Sequence, residues 1–157
     1  MTIDAITKRI DDFTQTYFGV ATELGTDWMC FANDDLIWWT PIEMVDAAQG
    51  FLRFAACEFP LSHRISPFLL SLLHECGHIL TVDDYEDADW DYYIDEVNRI
   101  NSMPKGPDRD NQYYRLPQEY DATKEGVWFY ETHYEICKKF EDEVMNMLKE
   151  YYKENID

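Results

Sequence analysis

The sequence predicts an α+β domain, mostly helical, in which a short β-hairpin or small sheet packs against one central helix. Three observations predict it. Apolar residues recur at helical spacing over most of the chain, and each stretch ends at Gly, Pro or a capping residue. Two short aromatic runs, Asp27 to Phe31 and Leu36 to Trp39, flank Ala-Asn-Asp-Asp and close before Pro41, which reads as a hairpin. Finally, 157 residues carrying 5 Trp, 11 Tyr and 9 Phe suffice for one domain, residues 1–157, with a packed core and no internal repeat.

Taken in order, Ile3, Ile6, Ile10, Phe13 and Tyr17 set out a first amphipathic helix ending near Gly19. After the hairpin, Val45, Ala48, Leu52 and Ala55 give a helix from Glu43 to Cys57, closed by Pro60. Ser66 and Pro67 suit the N-cap and first position of the central helix. On it Phe68, Leu69, Leu72, Leu73, Cys76, Ile79 and Leu80 fill one arc, while Ser71, His74, Glu75 and His78 fill the other and face a cleft. Gly77 weakens such a helix, and the close approach of another backbone is a reason for it. Asp83 and Asp84 are cap residues where that helix ends, and Trp90, Ile94 and Val97 start a fresh periodicity with a very acidic exposed face. The stretch NSMPKGPDRDNQ predicts a mobile loop. Pro117 opens another helix, and Thr132 with Glu135 predicts a capping box for a last one. The stripe of that last helix is Ile136, Cys137, Phe140, Val144, Met147, Leu148 and Tyr151.

The chemistry concentrates in HECGH. Two histidines four apart on a helix differ by about 40° around the axis, so the imidazoles of His74 and His78 can reach one metal ion. Glu75 then lies beside the metal, where a carboxylate can take a proton from a metal-activated water; H-E-x-x-H is therefore the pattern of a zinc hydrolase. Glu119 is the candidate third ligand, because Ala122, Thr123 and Gly126 on its face are small enough to bring the two helices close. Asp83, Asp84 and Asp87 are near in sequence but suit helix-dipole charges better. Tyr113, Tyr114, Tyr120 and His133 are candidates for an oxyanion donor or substrate contact, and Asp121 for orienting a ligand histidine. His63 reads as a loop residue. A structural zinc, with a fourth protein ligand, is an open alternative.

Charge restricts the partners. With 32 acidic and 13 basic residues the net charge is −19, which argues against direct nucleic-acid binding, since phosphate contacts need Lys and Arg. The expected partner is a protein or peptide. The N-terminal MTIDAITKRIDDF has no continuous apolar region and is not read as a signal peptide, and no segment reads as a membrane span. Cys30, Cys57, Cys76 and Cys137 form no C-x-x-C pair, as expected of free thiols in the cytoplasm.

With HECGH followed some forty residues later by EYDA, Glu119 to Ala122, the pattern resembles the gluzincin-type small metallopeptidases of phages and mobile elements, and among them the ImmA/IrrE-like group. The resemblance spans residues 66–130. It implies a minimal zincin-like domain, a zinc ion on His74, His78 and Glu119, and Glu75 as general base. It also implies a bacterial or phage-infected cytoplasm and, since related proteins cleave repressors, a repressor as one substrate to consider. The chain departs from that group in its acidity and in lacking a helix-turn-helix. Those departures support a second expectation: an inactive metallopeptidase-like fold acting as an acidic interaction or inhibitor protein of phage origin.

Overall fold

The structure, a computed structural model, describes residues 1–25, 31–32, 35–41 and 49–155. The expected strand over residues 27–30, Cys30, and the expected helical residues 43–48 lie outside the described residues. Helix α1 runs Ile3–Phe18; the Thr2 hydroxyl caps it by accepting from the Ala5 N–H at 3.1 Å, and Gly19 at φ 66° ends it in the left-handed conformation. Strands β1 (Ala21–Leu24), β2 (Phe31–Ala32) and β3 (Leu36–Trp39) form a three-stranded sheet with β3 in the middle. The antiparallel pairing of β2 with β3 is the expected hairpin. The parallel pairing of β1 with β3 was not expected, because Ala-Thr-Glu-Leu shows no apolar alternation. β1 is held instead by polar groups: the Thr22 N–H donates to Asp11 Oδ1 at 2.8 Å, and its hydroxyl lies 2.8 Å from that of Thr14.

Helices α2 (Gln49–Glu58), α3 (Pro67–Thr81), α4 (Asp87–Asn101), α5 (Pro107–Tyr114), α6 (Pro117–Thr132) and α7 (Tyr134–Asn155) follow, so the fold is α+β and mostly helical. Several expectations need correcting. Asp83 lies in a 3-10 turn, Val82–Asp84, rather than at a cap; α4 is started by Glu86, whose N–H donates to Asp89 Oδ2 at 2.9 Å. Half of the expected loop is α5, because Pro107 sits in its first turn with Asp108 and Asp110 near the positive end of the dipole. Thr132 ends α6, and the first carbonyl of α7 to accept is that of His133, from the Cys137 N–H at 3.0 Å. Leu80, Ile94 and Ile136, assigned to apolar faces, are 49 %, 55 % and 38 % exposed. No helix among the described residues is long and apolar enough to cross a membrane.

The core lies between α1, α3 and α7, with β3 against them. Ile6, Ile10 and Phe13 meet Phe68, Leu69, Leu72, Phe140 and Val144, and Phe13 stacks on Phe140 at 3.9 Å. Burying such side chains stabilises by about 1.5–3 kcal/mol each. The start of α3 is fixed twice: the Ser66 hydroxyl accepts from the Leu69 N–H at 3.1 Å, and the buried Glu141 of α7 accepts from the Ser66 N–H at 2.9 Å.

Among the described residues the most extensive packing joins α3 to α6. The helices run antiparallel, Gly77 against Ala122 and Gly126 against Leu73. A Cβ on Gly77 would lie 2.0 Å from the Ala122 carbonyl oxygen, so the expectation of a close backbone approach at this glycine holds. α6 meets α3 along Leu73, His74 and Gly77, and Ser71 and Glu75 of the polar arc are buried as well.

Candidate metal centre

The antiparallel, backbone-close packing of α3 on α6 puts Glu119 of α6 opposite His74 and His78 of α3. Glu119 Oε2 lies 2.8 Å from His78 Nε2 and 3.2 Å from His74 Nε2, and the two nitrogens are 3.1 Å apart. Ligand atoms about 2.0–2.1 Å from a tetrahedral zinc are about 3.3 Å from one another, so these three atoms fit a shared metal with little movement. They are also the one group of three His, Cys, Asp or Glu side chains among the described residues close enough to hold an ion.

The protons support the same arrangement. The Thr123 hydroxyl donates to the Glu119 carbonyl at 3.0 Å, so toward His74 Nδ1, at 2.9 Å, it can only accept. The Nδ1 therefore carries the proton and the Nε2 lone pair faces the cluster. Burial holds His74 below its ordinary value against the pull of Glu119, and the ring is neutral. At His78 burial works downward too, but the Glu119 carboxylate and the charge of Glu75 outweigh it and raise the value. Burial would raise Glu119, yet the two histidines beside it, with His78 as the proton donor, hold it well below the usual carboxylate range. His74 Nε2 and Glu119 Oε2 are thus two acceptors 3.2 Å apart, with only the His78 proton near both. A cation is what that pair of acceptors suits.

Glu75 is 8 % exposed, follows His74 directly on α3, and its charge acts on both His78 and Tyr93. The ring of Phe51 meets His74 edge-on at 5.1 Å, and Tyr114 packs on Phe51 and Phe54 at 5.0 and 5.2 Å, closing one side. No protein-family model, curated protein or solved structure matches the chain. The site is therefore read from its own geometry.

Of the other sequence candidates, Tyr113 reaches the site and donates to Glu119 Oε1 at 2.6 Å. Tyr114 stands behind Phe51. The Tyr120 hydroxyl turns away and donates to Glu58 at 3.2 Å, while its ring rests on Phe59. His133 stacks on Phe129 at 4.5 Å at the far end of α6, roughly 20 Å along the helix from Glu119. Asp121 accepts from the Tyr85 hydroxyl and touches neither histidine; Thr123 does the orienting instead. Asp83, Asp84 and Asp87 are exposed and outside the cluster. His63 stacks on Tyr134 at 3.7 Å. Sequence reasoning missed Tyr93, whose hydroxyl donates to Glu119 Oε1 at 3.0 Å. Its place in an acidic, aromatic helix gave no signal, although Tyr93 lies one helical turn from Trp90, on the side turned toward the protein.

Proposed function

We propose that this chain is a zinc-dependent metallopeptidase that hydrolyses peptide bonds in a protein or peptide substrate, in keeping with the group that HECGH and EYDA resemble. The observation that carries the reading is the compact His74, His78 and Glu119 cluster with the buried Glu75 beside it. Zinc in that place supplies a Lewis acid for a carbonyl oxygen and lowers the pKa of a water toward ~7. Among the described residues three side chains would hold the ion, the number of protein ligands in catalytic rather than structural zinc sites. His74 and His78 offer Nε2, Glu119 offers Oε2, and Thr123 keeps His74 in the tautomer that can bind. The Glu75 carboxylate takes the proton of the attacking water and returns it to the departing amide nitrogen. The proposed setting is the cytoplasm, and a repressor is one protein substrate to try.

The test compares protein purified without a histidine tag as wild type, Glu75→Gln and His78→Ala, measuring zinc per chain and cleavage of a mixed peptide library by mass spectrometry. Glu75→Gln should keep its metal and lose cleavage by at least about 10²-fold, the ordinary contribution of a general base. His78→Ala should lose both. Cleavage by Glu75→Gln at the wild-type rate would sink the reading. The exposed acids of α4 favour the second expectation, an acidic interaction protein. If that holds, neutralising Asp87, Asp91 and Asp95 abolishes activity in the host cell while Glu75→Gln leaves it intact.

A further inference from the structure

We propose that Tyr93 and Tyr113 are positioning residues for the third metal ligand: their hydroxyls occupy Glu119 Oε1, so that Oε2 alone is presented to His74 and His78. The inference rests on reading that cluster as a metal site. A carboxylate can bind a metal through one oxygen or both, and its terminal torsion is broad, so a rotamer does not decide which. Here the partners decide. Oε1 accepts from Tyr113 at 2.6 Å and from Tyr93 at 3.0 Å, while Oε2 lies 2.8 and 3.2 Å from the two histidine nitrogens. The two hydroxyls are 3.5 Å apart, too far for a good bond between them, so both protons go to the carboxylate.

Glu119 is 3 % exposed, which leaves little room for water to replace a lost hydroxyl. An acceptor lone pair would then go unmet, and the carboxylate would turn to bring both oxygens toward the metal. The two tyrosines come from α4 and α5, which supply none of the ligands. α4 buries only Ile100 and α5 buries no residue fully, its Tyr114 packing on Phe51 and Phe54. The same carboxylate would thus serve the metal through Oε2 while it holds both helices through Oε1.

The experiment measures affinity for Zn2+ by competition with a chromophoric chelator, the visible spectrum of the Co2+ form, and the unfolding temperature of the metal-free protein. It covers wild type, Tyr93→Phe, Tyr113→Phe, the double variant and Tyr85→Phe. Tyr85 is the control, because it anchors the same helix α6 through Asp121 and Pro117 without touching Glu119. Each single variant should lose about 10-fold in affinity and the double up to about 100-fold, the usual range for partners of metal ligands. The Co2+ absorption of the double variant should weaken as Glu119 turns bidentate, and Tyr85→Phe should keep both affinity and spectrum. A double variant with wild-type affinity and spectrum overturns the proposal. So does a loss that Tyr85→Phe shares and that follows the unfolding temperature, since that is structural loosening. Wild type that binds neither metal, or His78→Ala that binds as tightly as wild type, defeats the metal-site reading itself and the proposal with it.

Discussion

His78 is the residue at which pH and metal compete. Its folded value lies above the ordinary 6.5, because Glu119 and Glu75 outweigh the effect of burial. In the metal-free protein the proton on His78 stabilises the fold fully below about 6.5, and the contribution is lost as pH rises through the raised folded value. Glu119 is shifted the other way: its contribution is present above the ordinary 4.5 and lost as pH falls through its depressed value. Zinc needs the same His78 nitrogen without its proton, so apparent zinc affinity should climb with pH above 6.5 and binding should release a proton. Titrating zinc calorimetrically at several pH values, in two buffers of different ionisation enthalpy, reads both quantities. Affinity that stays flat from pH 6 to 8 would contradict the assignment. Thr123 gives a second prediction at this scale. Thr123→Val keeps the shape but removes the acceptor for His74 Nδ1, and zinc affinity should fall by about 10–100-fold with the ligands intact.

The contact of α3 with α6 carries the site, and its two glycines make the contact possible. A Cβ at Gly77 would meet the Ala122 carbonyl at 2.0 Å, and one at Gly126 would meet the Leu73 carbonyl at 2.8 Å; backbone at both positions cannot swing aside as a side chain could. Gly77→Ala must therefore drive the helices apart, costing at least about 1–3 kcal/mol and carrying Glu119 away from the histidines. Among the described residues Gly50→Ala in α2 meets nothing nearer than Arg53 Nη2 at 3.9 Å and should be neutral or stabilising by up to about 1 kcal/mol. Urea unfolding with zinc binding on the same samples checks both, and Gly77→Ala with unchanged affinity would mean that the contact does not set the ligand triangle. This element was legible in the sequence because its signals are local: Ser66 and Pro67 start α3, Pro117 starts α6, and Ala122, Thr123 and Gly126 share one face with Glu119. What stayed illegible depends on tertiary partners. β1 is held by Asp11 and Thr14 of α1 rather than by its own pattern, and Tyr93 became a site residue only when α4 was laid over Glu119. Asp121, two residues from Glu119, points off the face that Thr123 shares with it, and it is Thr123 that meets His74.

Over the whole molecule the acids outnumber the bases by 32 to 13, so even complete pairing would leave 19 negative charges unmatched. The pairs that form are mostly on the surface, such as Lys8 with Asp12 and Arg99 with Glu96, and exposed pairs contribute about 0–1 kcal/mol each. Repulsion therefore outweighs pairing, and the dense row Asp83, Asp84, Glu86, Asp87, Asp89, Asp91 and Asp95 concentrates it where few buried residues hold the chain. Salt screens such repulsion, since the Debye length falls from about 30 Å at 0.01 M to about 10 Å at 0.1 M. The unfolding temperature of the metal-free protein should consequently rise with sodium chloride over that range. A gain of about 1 kcal/mol corresponds to about 2–4 °C for a domain of this size. A protein held together by its ion pairs would respond with the opposite sign. Replacing Asp87, Asp91 and Asp95 by Asn should flatten the salt response while leaving zinc affinity in place, because none of the three touches His74, His78 or Glu119. If zinc affinity falls with them, the acidic surface is attracting the cation over a distance as well as limiting the fold, and zinc binding in wild type should then weaken as salt is raised.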